Sequence, residues 1–125
     1  MEPNGQGTAT RVAPSRADAE AAVARMVEMS DDLRGCAVLG PGGEVLAASG
    51  DPERWQEASA VLLGAADLAC EEPAEHLHVA TEDGEVFALR HRGLTMVAVT
   101  ERFTLASLMN FDMRTVLREL TGGRL

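Results

Sequence analysis

The sequence predicts an α+β domain, in the order helix, two strands, helix, three strands, helix. Three observations predict it. Three segments carry apolar residues at helical spacing. Five short apolar runs lie between them. Turns bearing glycine or proline join neighbouring runs so closely that they must pair antiparallel. At 125 residues the chain suits one domain around one core.

The first helix is expected over 16–30. Ser15 is a good N-cap, and Asp18 favours the positive end of the helix. Ala19, Ala22, Val23, Met26 and Met29 fall on one stripe, which Asp31, Asp32 and Gly35 end. A hairpin follows, with apolar runs at 36–39 and 44–48 around Gly40-Pro41-Gly42-Gly43. Glycine supplies positive φ and proline presets φ, so this is a turn with a mechanism.

The second helix opens with Asp51-Pro52-Glu53, an N-cap and a first-turn proline, and runs to about 71, ahead of Pro73. Trp55, Ala58, Leu62, Ala65, Ala66 and Ala69 form one apolar stripe, and Val61, Leu63 and Leu68 lie outside it. The helix is apolar over more than half its circumference and needs a second surface to cover it.

Three strands are expected at 76–81, 85–90 and 94–100, separated by Glu82-Asp83-Gly84 and His91-Arg92-Gly93. In the middle one Val86, Ala88 and Arg90 share a face, with Phe87 and Leu89 on the other. The last strand is almost wholly apolar, as a strand covered on both faces would be. The closing helix spans 104–120, with Leu105, Leu108, Met109, Val116, Leu117 and Leu120 as its stripe and Gly122-Gly123 at its end. Residues 1–14 read as a disordered tail, 15–121 as the domain and 122–125 as a C-terminal tail.

Eleven basic residues, all arginine, stand against twenty acidic ones, for a formal charge of -9. Nucleic-acid binding needs a dense basic patch, and docking on anionic lipid needs the same, so neither is expected. No basic start followed by an apolar run marks an export signal, and no window is long enough to span a bilayer. Cys36 and Cys70 fall on elements expected to be buried. They read as reduced thiols, which places the protein in the cytoplasm.

The element order and several motifs resemble the roadblock (dynein light-chain) family. The matching residues are Leu33-Arg34-Gly35-Cys36-Ala37-Val38-Leu39, then Gly43-Glu44-Val45-Leu46-Ala47-Ala48-Ser49-Gly50. The alanine-rich helix from Trp55 also matches, as do residues 79–90 and a closing helix after Met96-Val97-Ala98-Val99. The resemblance covers about 19–120. It implies a profilin-like five-stranded antiparallel sheet in the order 2-1-5-4-3, with the first and last helices on one face and the second on the other. It further implies dimers that pair third strands edge to edge and pack second helices together. Known roles are adaptors, scaffolds and bacterial regulators of small Ras-like GTPases.

The residues themselves lead to the same place. A lone sheet would bare the edge of 76–81, and the second helix has more apolar surface than one sheet face covers. A twofold dimer satisfies both with one self-complementary patch. The expected dimer interface is Trp55, Ala58, Leu62, Ala65, Ala66, Ala69, His76, His78 and Ala80, and Arg54 and Phe111 are candidate partner-binding anchors.

Other chemistry reads more plainly. His76 and His78 share a face near Cys70, but no complete four-ligand set is visible, so they are assigned to the edge strand and no metal is expected. Cys36 has no activating neighbour and is a structural thiol. The loop at 40–43 leads into a strand and has no lysine, so it is a hairpin and not a phosphate cradle. Glu71, Glu72 and Glu75 read as a solvated cluster. Asp112 lies on the apolar stripe of the last helix, where it either pairs, with Arg90 and Arg102 as candidates, or marks a wet edge of the stripe. No catalytic residue and no cofactor is assigned. The expected function is a non-enzymatic dimeric adaptor or regulator that binds a small GTPase or other signalling protein. The alternative is a small-molecule sensor, which would require a concave pocket with convergent polar groups.

Overall fold

The computed structural model describes residues 15–70 and 75–122. The expected disordered tail at 1–14 lies outside the described residues, as do Glu71, Glu72, Pro73 and Gly123. The elements run α1 (Arg16–Met29), β1 (Leu33–Leu39), β2 (Val45–Ala48), α2 (Pro52–Ala69), β3 (His76–Ala80), β4 (Glu85–His91), β5 (Leu94–Thr100) and α3 (Ala106–Leu120). All five strands form one antiparallel sheet in the order β2-β1-β5-β4-β3.

Local chemistry sets the boundaries. Ser15 and Asp18 make a reciprocal capping box at the start of α1. Asp51 caps α2 by accepting from the Glu53 N–H, and Pro52 stands in its first turn. Arg92 and Gly93, both at positive φ (53° and 83°), join β4 to β5. That is the two-residue turn whose twist suits a hairpin.

Two cores sandwich the sheet. On one face α1 and α3 bury Ala19, Val23, Met26, Met109, Met113, Val116 and Leu117 against Cys36, Val38, Phe87, Leu89 and Met96. On the other α2 covers Ala37, Leu39, Val45, Ala88 and Val97. The alternation expected in β4 is present: Phe87 and Leu89 face the helix pair, and Ala88 and Val86 face α2. The helix α2 is tied to the sheet near both of its ends. Its Trp55 indole N–H donates to the Ser49 carbonyl at 2.6 Å, and Asp67 takes both Arg90 guanidinium nitrogens at 2.8 and 3.0 Å. Gly35 makes room for the tryptophan, because a Cβ there would stand 3.1 Å from Trp55 Cζ2.

Several expectations need correction. Strand β1 begins at Leu33, three residues before the apolar run, since its start pairs with the end of β5. The inner face of α3 is Met109, Asp112, Met113, Val116 and Leu117, so Leu105 and Leu108 are not core: they are 64% and 55% exposed. Cys70 is exposed rather than buried, because it is the C-cap of α2, where the helix leaves the sheet. Asp112 finds neither expected partner. Arg90 is committed to Asp67, and the Arg102 guanidinium lies 4.7 Å from the Phe103 ring.

Candidate protein interface

One side of the sheet is open. Strand β3 is an edge strand, and none of its five residues is buried. The Thr81 N–H donates to the Gly84 carbonyl, and the Arg90 N–H donates to the Glu75 carbonyl. In an antiparallel ladder residues alternate between bonding inward and bonding outward. Residues 75, 77, 79 and 81 therefore spend their backbone groups on β4. His76, His78 and Ala80 aim theirs off the free edge, a template for another strand.

The outer face of α2 is open too. The six residues expected as one stripe of α2 divide between two faces. Trp55, Leu62 and Ala66 face the sheet, together with Ser59 and Leu63. Ala58, Ala65 and Ala69 face out. With Val61 at 74% and Leu68 at 90% exposed, they form an outward row at 58, 61, 65 and 68. Gly64 lies beside this row with no atom within 4 Å of where its Cβ would stand, so another helix can approach closely. Leu77 and Val79 of β3 face the same side as α2, and Val79 remains 37% exposed. Val79 and the α2 row thus open on the same side of the sheet.

On the opposite face His78 meets ordered chemistry, while His76 stands exposed. The His78 ring stacks on Phe87 with centroids 4.2 Å apart. Its Nε2 lies 2.6 Å from Glu85 Oε1, and the other Glu85 oxygen accepts from the Phe103 N–H at 2.6 Å. His78 and then that amide hold the Glu85 carboxyl below the usual carboxylate range, against the opposing pull of burial. The Phe103 backbone sits in the left-handed region (φ 62°), rare for a bulky residue, and its ring is 83% exposed. Sequence reasoning missed Glu85 and Phe103. The signal for Glu85 was present: a carboxylate two residues before Phe87 must share Phe87's face.

The two anchor candidates do not come together. Arg54 is exposed at the start of α2, and Phe111 is 62% exposed on α3, across the sheet. Cys36 is fully buried, and burial pushes its thiol up to about 12, away from the reactive thiolate. Among the described residues an open concavity of about 490 Å³ lies beside Pro41, Asp67, Arg90 and Arg92. Its central arginine is already committed to Asp67. No described helix is long and apolar enough to cross a membrane.

No family model matches the sequence, and no curated protein matches it. Solved structures do. The Roadblock/LC7 domain from Streptomyces avermitilis superposes with a TM-score of 0.67 at 15% identity, over 81% of this chain and 92% of that one. The gliding protein MglB from Thermus thermophilus gives 0.68 at 12%, over 85% and 87%. The chain has the roadblock fold. Profilin from Schizosaccharomyces pombe, with a TM-score of 0.61 at 14% identity over 86% and 99%, shows how far that architecture extends. In the roadblock fold of this chain, the sheet order and the placement of the helices are those the sequence resemblance implied.

Proposed function

We propose that the chain is a roadblock-family adaptor or regulator that works as a homodimer and binds a small Ras-like GTPase or a similar signalling protein. One observation carries the reading. The backbone groups of His76, His78 and Ala80 aim off the sheet, and α2, over the face that Val79 shares, carries an outward apolar row. Twofold pairing of β3 strands joins two sheets into one and lays two α2 helices side by side. The row at 58, 61, 65 and 68 then meets its own copy, and small residues permit close packing. Burial of roughly 800 Å² per subunit is ordinary for a stable pair. Trp55, Leu62 and Ala66 support this interface from below, and Ala58, Ala65 and Ala69 contribute to it directly. Arg54 lies at the end of the paired helices, within reach of a partner.

Likeness to MglB of Thermus thermophilus and of Myxococcus xanthus supports the regulatory reading, and a described tetrameric arrangement of MglB supports self-association. The role is non-enzymatic: the chain offers surface, and any effect on nucleotide hydrolysis comes from moving the partner's own loops.

Sedimentation of the full chain at tens of micromolar tests the dimer. Wild type is expected to sediment as a dimer, and Leu68→Glu, at a side chain 90% exposed in the single chain, as a monomer. A monomeric wild type sinks the reading. For the partner, calorimetry against the Ras-like GTPase encoded nearest this gene, loaded with GTP analogue or GDP, should show binding that Leu68→Glu abolishes.

A further inference from the structure

We propose that His76 and His78 are half of a divalent-metal site of the zinc class, completed by the same two residues of a second copy. The proposal rests on the dimer reading above and adds a ligand to its seam.

The first ground is spacing. His76 and His78 lie two residues apart on one face of β3, about 6.5 Å along the strand. Two imidazoles so placed reach one ion. The second ground is orientation. His78 Nε2 sits 2.6 Å from Glu85 Oε1, so in the neutral ring Nε2–H donates to the carboxylate and the lone pair falls on Nδ1. A carboxylate behind an imidazole fixes its tautomer and makes it a better ligand, the usual support of a metal-bound histidine. The ring is held further by stacking on Phe87, and Glu85 is anchored by the Phe103 amide.

The third ground is what a single chain lacks. Among the described residues no group of three or more His, Cys, Asp or Glu is placed to hold a metal. Zinc wants four ligands, and one copy offers two. Residues 76, 78 and 80 are the ones whose backbone a partner strand would bond, and directly paired side chains share a face with Cβ atoms about 5 Å apart. A twofold axis at Leu77 sets His76 opposite the partner's His78 and His78 opposite the partner's His76, giving four imidazoles on one face. An axis at His78 sets the two His78 residues face to face with a His76 beside each. In both registers every protein ligand comes from this strand. Each chain carries -9, so a pair carries -18 (twice -9), and a cation at the seam relieves that repulsion.

The experiment is sedimentation of the full chain with EDTA and with zinc chloride, alongside calorimetry for stoichiometry. One zinc per two chains is expected, with the dimer dissociation constant falling about tenfold or more. His76→Gln, which leaves the His78–Glu85 contact intact, and the double variant His76→Gln/His78→Gln should each lose the zinc response. A dimer indifferent to zinc overturns the metal site and leaves the dimer standing. A zinc response that survives the double variant and disappears in Cys70→Ser also overturns it. A chain that stays monomeric with and without zinc overturns both readings.

Discussion

Strands β5 and β3 belong to one sheet and draw on similar residues, yet they live in different solvents. β5 lies at the centre, and six of its seven residues are buried. β3 lies at the rim, and none of its five is. Valine appears in both, and so does alanine. Position in the sheet separates them, because β5 has a strand on each side and helices over each face. β3 has one strand neighbour and exposes its other row of amides. The centre therefore carries stability, and the rim carries association.

The widest contrast expected is in thiol reactivity. Cys36 lies in β1, a strand with neighbours on both sides, and burial lifts its thiol from 9.0 to about 12. That lowers the thiolate fraction about a thousandfold at neutral pH, before any loss of access. Native protein should titrate one thiol per chain with Ellman's reagent, at Cys70, and denatured protein two. Two fast native thiols would break the comparison.

Core truncation comes next. Met96→Ala in β5 removes a fully buried side chain and should cost about 2–5 kcal/mol in urea unfolding. Val79→Ala in β3 should cost the monomer under about 1 kcal/mol, because its side chain is 37% exposed. Similar losses at the two sites would remove the distinction.

At the rim, Ala80→Pro deletes an outward N–H that β4 does not use. It should raise the dimer dissociation constant about tenfold, equal to about 1.4 kcal/mol, with little change in circular dichroism. Unchanged sedimentation would show that β3 is not the seam.

The smallest effect is electrostatic. Burial raises the Asp112 carboxyl above its usual 3.8. A raised acid favours the folded state below its unfolded value, and that advantage is lost as pH rises through the folded one. Asp112→Asn should therefore stabilise the protein slightly at pH 7, and the gain should shrink toward pH 3. A loss at neutral pH would mean that the carboxylate is usefully paired. Urea midpoints across that range decide it.

The order of elements, their caps and the sheet-facing alternation of β4 could be read from the chain, because they depend on neighbours within a few residues. Ser15, Asp51, Pro52 and the Arg92-Gly93 turn act locally, and runs of apolar residues between such signals mark the helices. What the chain could not decide alone is which way its apolar helices turn. In α2 nearly every direction is apolar or small, so the preference for one face is shallow, and only docking puts Ser59 and Leu63 inward and Ala58 and Ala65 outward. Likewise Leu105 and Leu108 follow the helical period but lie beyond the layer they would cover. The joining of His78, Glu85 and Phe103 needed strand register and the loop after β5 reaching back to β4, contacts between residues far apart in sequence. Short-range physics makes the parts, and long-range packing chooses which surfaces are left for a partner.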